Sequence, residues 1–303
     1  MINFYAKRKI FYGISILLLL AGIIGLFVRG VKLDITFSGG AKLTYSYVGQ
    51  EINPAEVEAL VKSTLKRDAT CQNAKGYETE DTSLVISLSG TKSLTTEDQD
   101  KLFDALQKKF ADCKIEQGST TNVEASIGNR FLRRGLLAIL LAAIFIIIYV
   151  SIRFSVVSGF TASLTALIAL CHDIALVFFV FVLFGIPIND GFIAVVLTIL
   201  GYSINDTLVI FDRIRENKRL FANKLTNEEL VNKSIAQSLT RTLNTSLMSI
   251  SALILVLVFA YFKGLTSIIN FAFPMMIGII SGCYSSSFLA PCLWCTFKQR
   301  KSH

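Results

Sequence analysis

Six windows of about 20 mostly apolar residues, each long enough to cross the hydrocarbon core of a bilayer, constrain this chain more than any other feature. They centre on Phe11 to Val28, Leu136 to Ile152, Ser158 to Phe184, Phe192 to Phe211, Leu243 to Phe262 and Ile268 to Leu289. With 52% hydrophobic and 17% charged residues over 303 positions and a mean hydropathy of +0.57, the chain is too apolar to fold in water alone. The first window follows Lys7, Arg8 and Lys9 as a secretory signal would, but it runs too long and lacks a small-x-small cleavage site before Arg29. An uncleaved helix is expected there.

If the spans alternate, Lys7 to Lys9, Arg153, the Arg213 to Arg241 segment, Lys298, Arg300 and Lys301 fall on one side, which the positive-inside rule assigns to the cytoplasm together with both termini. Arg29, Lys32, Arg130, Arg133 and Arg134 fall on the other side, but they flank a long loop, where the rule is weak. The net charge of +8 is read as anchoring to anionic membrane lipid. The basic residues are scattered along the membrane flanks instead of forming one aromatic-lined stripe, so no nucleic acid is expected as a partner. Four segments follow: 1–31, a cytoplasmic N-terminus and first helix; 32–130, an extracytoplasmic α+β domain; 131–297, a five-helix bundle with a cytoplasmic loop at about 212–240; and 298–303, a basic tail.

The interval before the second span has the mixed charge and alternating patterns of a small folded unit. Ala41 to Val48 alternates as a strand; Asn53, Pro54 and Glu56 supply a cap, a first-turn proline and a capping-box acid for a helix to about Arg67. Short strands at Ala69 to Asn73 and Ser83 to Leu88, a helix from Thr95 and Asp98 to Phe110, and a closing strand at Lys114 to Glu124 complete the order β-α-β-β-α-β. That order fits a ferredoxin-like sandwich. Cys71 and Cys113 lie in this unit; an extracytoplasmic compartment permits a disulfide between them, and geometry decides whether it forms. Cys292 and Cys295 make a lone CxxC with no second pair, so packing is favoured over zinc, and no metal or cofactor is expected.

No nucleophile-base constellation, P-loop or dinucleotide glycine pattern is present, so the chain does not read as an enzyme. The chemistry sits in the membrane: His172 and Asp173 in the third span and Asp206 in the fourth. Ionisable groups at that depth usually face protein or a water-filled path. Asp206 lies in the polar patch Gly201, Tyr202, Ser203, Asn205 and Thr207 of an otherwise aliphatic helix. A carboxyl placed there can switch between a neutral acid and a carboxylate that seeks water or a cation, and Arg241, at the start of the fifth span, is a candidate cation. The competing reading is that Asp206 and Asn205 only hydrogen-bond a neighbouring helix while Gly201 and Ser203 permit close packing. His172 and Asp173, as helical neighbours about 100° apart, are not expected to face one path together.

The run from Gly201 through Asp206, Thr207, Asp212, Arg213, Arg215 and Glu216 to Asn217 resembles the signature of the SecF family. The His172-Asp173-Ile174 run, the Arg241 to Ser246 segment and the layout of one domain with six spans are also similar. The related SecD helix typically reads Val-Asp-Ala-Asn at this point, and the Ser-x-Asn-Asp-Thr form here is that of SecF. The resemblance implies a bacterial cell-membrane protein that pairs with SecD, associates with the SecY channel and uses the proton-motive force to help complete export of unfolded polypeptides. It further implies Asp206 as the membrane aspartate of proton conduction, Arg241 as its companion, and Asp173, next to His172, as a recurrent family position. Two departures stand out: Thr36-Phe37-Ser38-Gly39-Gly40 has Thr36 where the family usually has Asp, with Asp34 two residues earlier, and Glu124-Ala125 replaces a common Gly-Pro pair. A small-molecule exporter of the resistance-nodulation type and a structural scaffold are the alternatives; such an exporter generally needs two six-span halves.

Overall fold

The computed structural model describes residues 3–49, 52–67, 69–75, 82–89, 94–111, 113–123, 125–155, 159–221 and 224–300. Six helical segments are long and apolar enough to cross a membrane: Tyr5–Arg29, Gly128–Arg153, Gly159–Phe184, Asp190–Leu220, Asn227–Phe262 and Thr266–Gln299. The helices are α1 (Arg8–Arg29), α2 (Ile35–Ser38), α3 (Pro54–Leu65), α4 (Thr96–Lys109), α5 (Ala125–Arg153), α6 (Gly159–Phe184), α7 (Asp190–Leu220), α8 (Asn227–Phe262), α9 (Thr266–Tyr284) and α10 (Ala290–Arg300). Helices α6, α7 and α9 sit at the centre of the bundle, whereas α1, α5 and α8 present wide apolar surfaces such as Phe27, Phe145 and Leu255 outward. In lipid that exposure is the expected state of a bundle rim.

The last span is not a uniform helix. Between α9 and α10 the five residues Ser285–Leu289 form a π-turn, which ends two positions before Pro291, a residue with no N–H to give the preceding turn. Pro274 lies inside the continuous α9 and is buried among neighbouring helices, where other helices compensate for its missing N–H.

At a rise of 1.5 Å per residue, α7 and α8 are about 46 and 54 Å long, well beyond the roughly 30 Å of bilayer hydrocarbon. The segment expected as a loop at about 212–240 is therefore largely helical: α7 continues to Leu220, and a capping box restarts the chain. There Thr226 Oγ1 accepts from Glu229 N–H, while Glu229 Oε2 accepts from Thr226 N–H. Apolar periodicity marks only the lipid-crossing part of such a helix, which is why the polar extension reads as loop. The chain ends meet at this side: the Tyr5 hydroxyl donates to Gln299 Oε1 at 2.8 Å, and Tyr5 N–H donates to Asn232 Oδ1 at 2.9 Å.

At the opposite end lies the α+β unit, with strands β1 (Gly40–Val48), β2 (Ala69–Lys75), β3 (Thr82–Ser89) and β4 (Lys114–Val123) in the order β2-β3-β1-β4, every pair antiparallel. This is the ferredoxin-like arrangement. Alternate β1 residues Ala41, Leu43, Tyr45 and Tyr47 point into a core with Leu84, Ile86 and Leu88 of β3, covered by Val57 and Val61 of α3 and Leu102 and Leu106 of α4. Both helix starts follow the sequence signals: Asn53 Oδ1 accepts from Ala55 N–H, and Thr95 Oγ1 accepts from Asp98 N–H. Between β1 and β4 the register slips, so that Gly118 and Ser119 face the single residue Thr44. A side chain on Gly118 would meet the Thr44 carbonyl at 2.5 Å, so glycine permits this bulge.

Cys71 lies in β2 and Cys113 just before β4, on the two opposite edges of the sheet. Three inter-strand spacings of about 4.8 Å put them about 14 Å apart, twice the Cα separation a disulfide can span. Both are buried in the core, and no bond joins them.

The unit is seated on the bundle through the residues that follow α1. Leu33 forms a parallel bridge with Ile188, ahead of α7, and α2 packs on α5. Asp34, itself in extended backbone, caps α2, its Oδ1 accepting from Thr36 N–H at 2.9 Å. Gly128 of α5 lies so close to α2 that an added Cβ would stand 2.8 Å from the Phe37 carbonyl oxygen.

Candidate functional site

Helix α7 carries the polar patch, and residues three and four apart share a face. Ser203, Asp206 and Thr207 point inward and are buried, while Gly201 and Asn205 are exposed on the far side. Asp206 is 3% exposed, and its Oδ2 has no hydrogen-bond partner. The charge acting on it is that of Arg241 on α8; among the described residues no ion pair within 4.0 Å joins the two. Arg241, expected at the start of a span, lies well inside the continuous α8 and is exposed.

Asp173 is the opposite case. It is fully buried and accepts three hydrogen bonds, from Ser281 Oγ (2.5 Å), Ser285 Oγ (2.6 Å) and Ser203 Oγ (2.7 Å), while His172 Nδ1 lies within hydrogen-bond distance at 3.1 Å. Three helical segments, α6, α7 and the last span with its π-turn, thus converge on one carboxyl group. His172 and Asp173 touch each other despite their 100° offset on the helix. The other imidazole nitrogen, Nε2, is buried without a partner. Ser281 and Ser285 escaped the sequence reading; the signal was the small polar run Ser281, Gly282, Ser285, Ser286 and Ser287 in an otherwise apolar span. Ser203 joins this cluster and lies three residues from Asp206, so the two carboxyl groups neighbour one helical turn of α7.

The rest of the signature is mostly structural. The Tyr202 hydroxyl donates to Ser246 Oγ, and the Thr207 hydroxyl bonds back to the Ser203 carbonyl. Asp212 pairs with Arg153 of α5 at 3.1 Å and with Arg215 at 2.7 Å. Arg213 donates to Glu216 and to Gln237 of α8, and Asn217 donates to Ser234 and Gln237. These contacts tie the long ends of α7, α5 and α8 together.

Between the same three helices opens a cavity of about 600 Å³ lined by Tyr149, Asn205, Ser238 and Arg241, among others. A second cavity of about 330 Å³, lined in part by Asp34, Lys42, Gln72 and Asp190, separates the polar face of the sheet from the bundle. On the outward side of α7 and α8, the polar residues Asn205, Arg241, Asn244 and Thr245 are exposed, and nothing lies within 4 Å of the position a Gly201 Cβ would take. Cys292 and Cys295 are fully buried with Trp294 and Phe211 in an apolar cluster.

Residues 103–300 match the family model described as protein export membrane protein SecD/SecF, C-terminal. Over 304 residues the chain is 32% identical to the protein translocase subunit SecF of Petrotoga mobilis, covering 99% of this chain and 97% of that one. It is 34% identical over 283 residues to SecF of Helicobacter pylori strain J99, covering 92% and 83%. The SecDF protein of Bacillus subtilis matches 99% of the chain at 32% identity, the match spanning 38% of its own length. The crystal structure of SecDF, a translocon-associated membrane protein from Thermus thermophilus, superposes on 99% of the chain and 39% of its own, with a TM-score of 0.81 and 27% identity. The chain therefore belongs to the SecD/SecF family of protein-export membrane proteins, as a translocase subunit of the SecF type.

Proposed function

We propose that this SecF subunit, paired with SecD, uses the proton-motive force to promote late steps of export of unfolded polypeptides through the SecY channel, and that Asp206 takes up and releases the proton. The observation that carries this reading is the buried, unpartnered Oδ2 of Asp206, on which the charge of Arg241 acts from α8. A buried carboxyl with a free oxygen and a cation within electrostatic reach changes its preferred surroundings when it gains a proton, because the neutral acid can stay in a dry interface and the anion cannot. One elementary charge crossing 100 mV releases about 2.3 kcal/mol, a roughly fiftyfold shift between two helix packings, so export of a long chain takes many cycles. Asp173, held by three serine hydroxyls and in contact with His172, lies on the neighbouring helix and shares with Asp206 only the α7 turn that carries Ser203; in this reading it holds the helices between which Asp206 moves.

Pairing with SecD is supported by the exposed face of Asn205, Arg241, Asn244 and Thr245, since lipid cannot satisfy polar groups at that depth and a partner helix can. The open space above Gly201 leaves room for its close approach. In this reading the protein lies in the bacterial cell membrane with the termini and the α7–α8 projection in the cytoplasm and the α+β unit outside, as the basic flanks indicate. The direct test reconstitutes the chain with SecD and SecY in vesicles and compares gradient-stimulated export for the unaltered protein and Asp206→Asn. Loss of stimulation with normal assembly is expected; unchanged stimulation refutes Asp206 as the proton carrier.

A further inference from the structure

The inward face of α8 carries a hydroxyl at every fourth residue, Ser234, Ser238, Thr242 and Ser246, and all four are buried. Three of them have partners. Ser234 donates to the Leu230 carbonyl and accepts from Asn217 Nδ2, Ser238 donates to the Ser234 carbonyl, and Ser246 accepts from the Tyr202 hydroxyl. Thr242 is 1% exposed, and its Oγ1 has no hydrogen-bond partner among the described residues. A helical threonine can give its hydroxyl to the carbonyl four residues back, as Thr207 does to Ser203 and Thr245 to Arg241. Thr242 is held out of the bond its own helix offers.

Helices α7 and α8 run antiparallel, with Tyr202 bonded to Ser246, Arg213 to Gln237 and Asn217 to Ser234. One turn on from Tyr202 is Asp206, and one turn back from Ser246 is Thr242, so the two unpartnered oxygens lie at the same level of the α7–α8 seam. One turn further along α8, Ser238 lines the cavity of about 600 Å³, whose walls also include Asp212, Arg213, Glu216 and Gln237 and so admit water. Toward the outer unit the seam turns dry: the buried residues of α7 there are Val195, Val196, Ile199 and Leu200, and half-buried Leu253 and Leu257 continue the face of α8. We propose that Thr242 is the hydroxyl through which Asp206 exchanges its proton with water in that cavity, by way of Ser238. The protonated carboxyl gives its proton to Thr242 Oγ1, the hydroxyl passes its own proton on toward Ser238 and the cavity, and the carboxylate stays behind under the charge of Arg241. Rotation of the new hydroxyl resets Thr242, so one proton moves and nothing else changes. One helical turn is about 6 Å, a step that two hydrogen bonds of about 2.8 Å through one water cover, and buried polar groups without protein partners are where such waters bind. This inference rests on the reading of Asp206 as the proton carrier and adds the route by which the proton leaves.

The test reconstitutes the chain with SecD and SecY in vesicles and measures gradient-stimulated export for Thr242→Val, Thr242→Ser and Asp206→Asn. Thr242→Val keeps the shape and removes an oxygen that bonds nothing, so a merely structural threonine would lose nothing by it, and the unfolding midpoint in micelles should hold or rise. The expected result is a Thr242→Val protein that assembles normally while its gradient stimulation falls about tenfold or more, with Thr242→Ser, which keeps the hydroxyl, within about twofold of the unaltered protein. Full stimulation in assembled Thr242→Val, or equal losses in Thr242→Val and Thr242→Ser, overturns the proposal. If Thr242→Val does not assemble, Ser238→Ala decides: reduced stimulation with normal assembly supports the path, and full stimulation overturns it. Asp206→Asn separates the two proposals. Loss of stimulation there together with full stimulation in Thr242→Val sinks only the path through Thr242, whereas full stimulation in Asp206→Asn sinks both.

Discussion

Asp173→Ala removes one carboxyl group and leaves three hydroxyls behind. Ser203, Ser281 and Ser285 each donate to Asp173 at 2.7 Å or less, and all three are buried. Hydrogen bonds to a charged acceptor are worth about 1.5–3 kcal/mol in water-soluble proteins, whereas side-chain bonds within membranes average about 0.6. Three such bonds therefore place the expected loss between about 2 and 6 kcal/mol, allowing for partial rescue by serine bonding back to its own helix. Asp173→Asn keeps the shape and two of the acceptor lone pairs, and the serines can rotate to accept from its amide, so it should lose less than half as much. The assay is reversible unfolding of the purified protein in mixed micelles, with Ser281→Ala and the double variant completing a thermodynamic cycle. A loss under about 0.5 kcal/mol for Asp173→Ala, or strict additivity with Ser281→Ala, would show that the cluster does not join the three helices.

Two further outcomes are expected. Gly128→Ala places a methyl group 2.8 Å from the Phe37 carbonyl oxygen and 3.1 Å from Gly39 N; because both neighbours are backbone, α2 must move off α5, and proteolysis between the outer unit and the bundle should become faster at a cost of about 1–3 kcal/mol. Burial, with Glu58 nearby, pushes the Cys71 thiol from 9.0 up to about 12, and burial, with Asp100 nearby, pushes the Tyr45 phenol from 10.0 up to about 12. Each folded value lies above the unfolded one, so the stability these groups confer is complete below pH 9 and falls as pH rises toward 12. Circular dichroism of the outer unit's strand signal across that window should show the loss, and a flat profile to pH 12 would contradict it.

The spans and the outer unit were legible because each is written locally. Twenty apolar residues need no partner to declare themselves, and Asn53 with Pro54, or Thr95 with Asp98, mark helix starts within four residues. The candidate site was only half legible. Asp206 and Asp173 stand out as acids in apolar surroundings, but their different states depend on serines 30 to 112 residues away along the chain, and no local pattern distinguishes a satisfied carboxyl from an orphaned one. The helical character of 212–220 and 227–240 was hidden for a related reason: outside lipid the apolar stripe narrows to contacts such as Ile214 and Ile235, and charge dominates the count.

The π-turn at Ser285–Leu289 has a rotational consequence. Each residue advances a helix by about 100°, so the extra residue held in a widened turn sets the azimuth of everything beyond it. Beyond it, Cys292, Trp294 and Cys295 face the core. Ser285 is both the first residue of the widened turn and a donor to Asp173. The hydrogen bond that ties the last span to the carboxyl at the centre of the bundle therefore sits at the residue where the winding of that span changes.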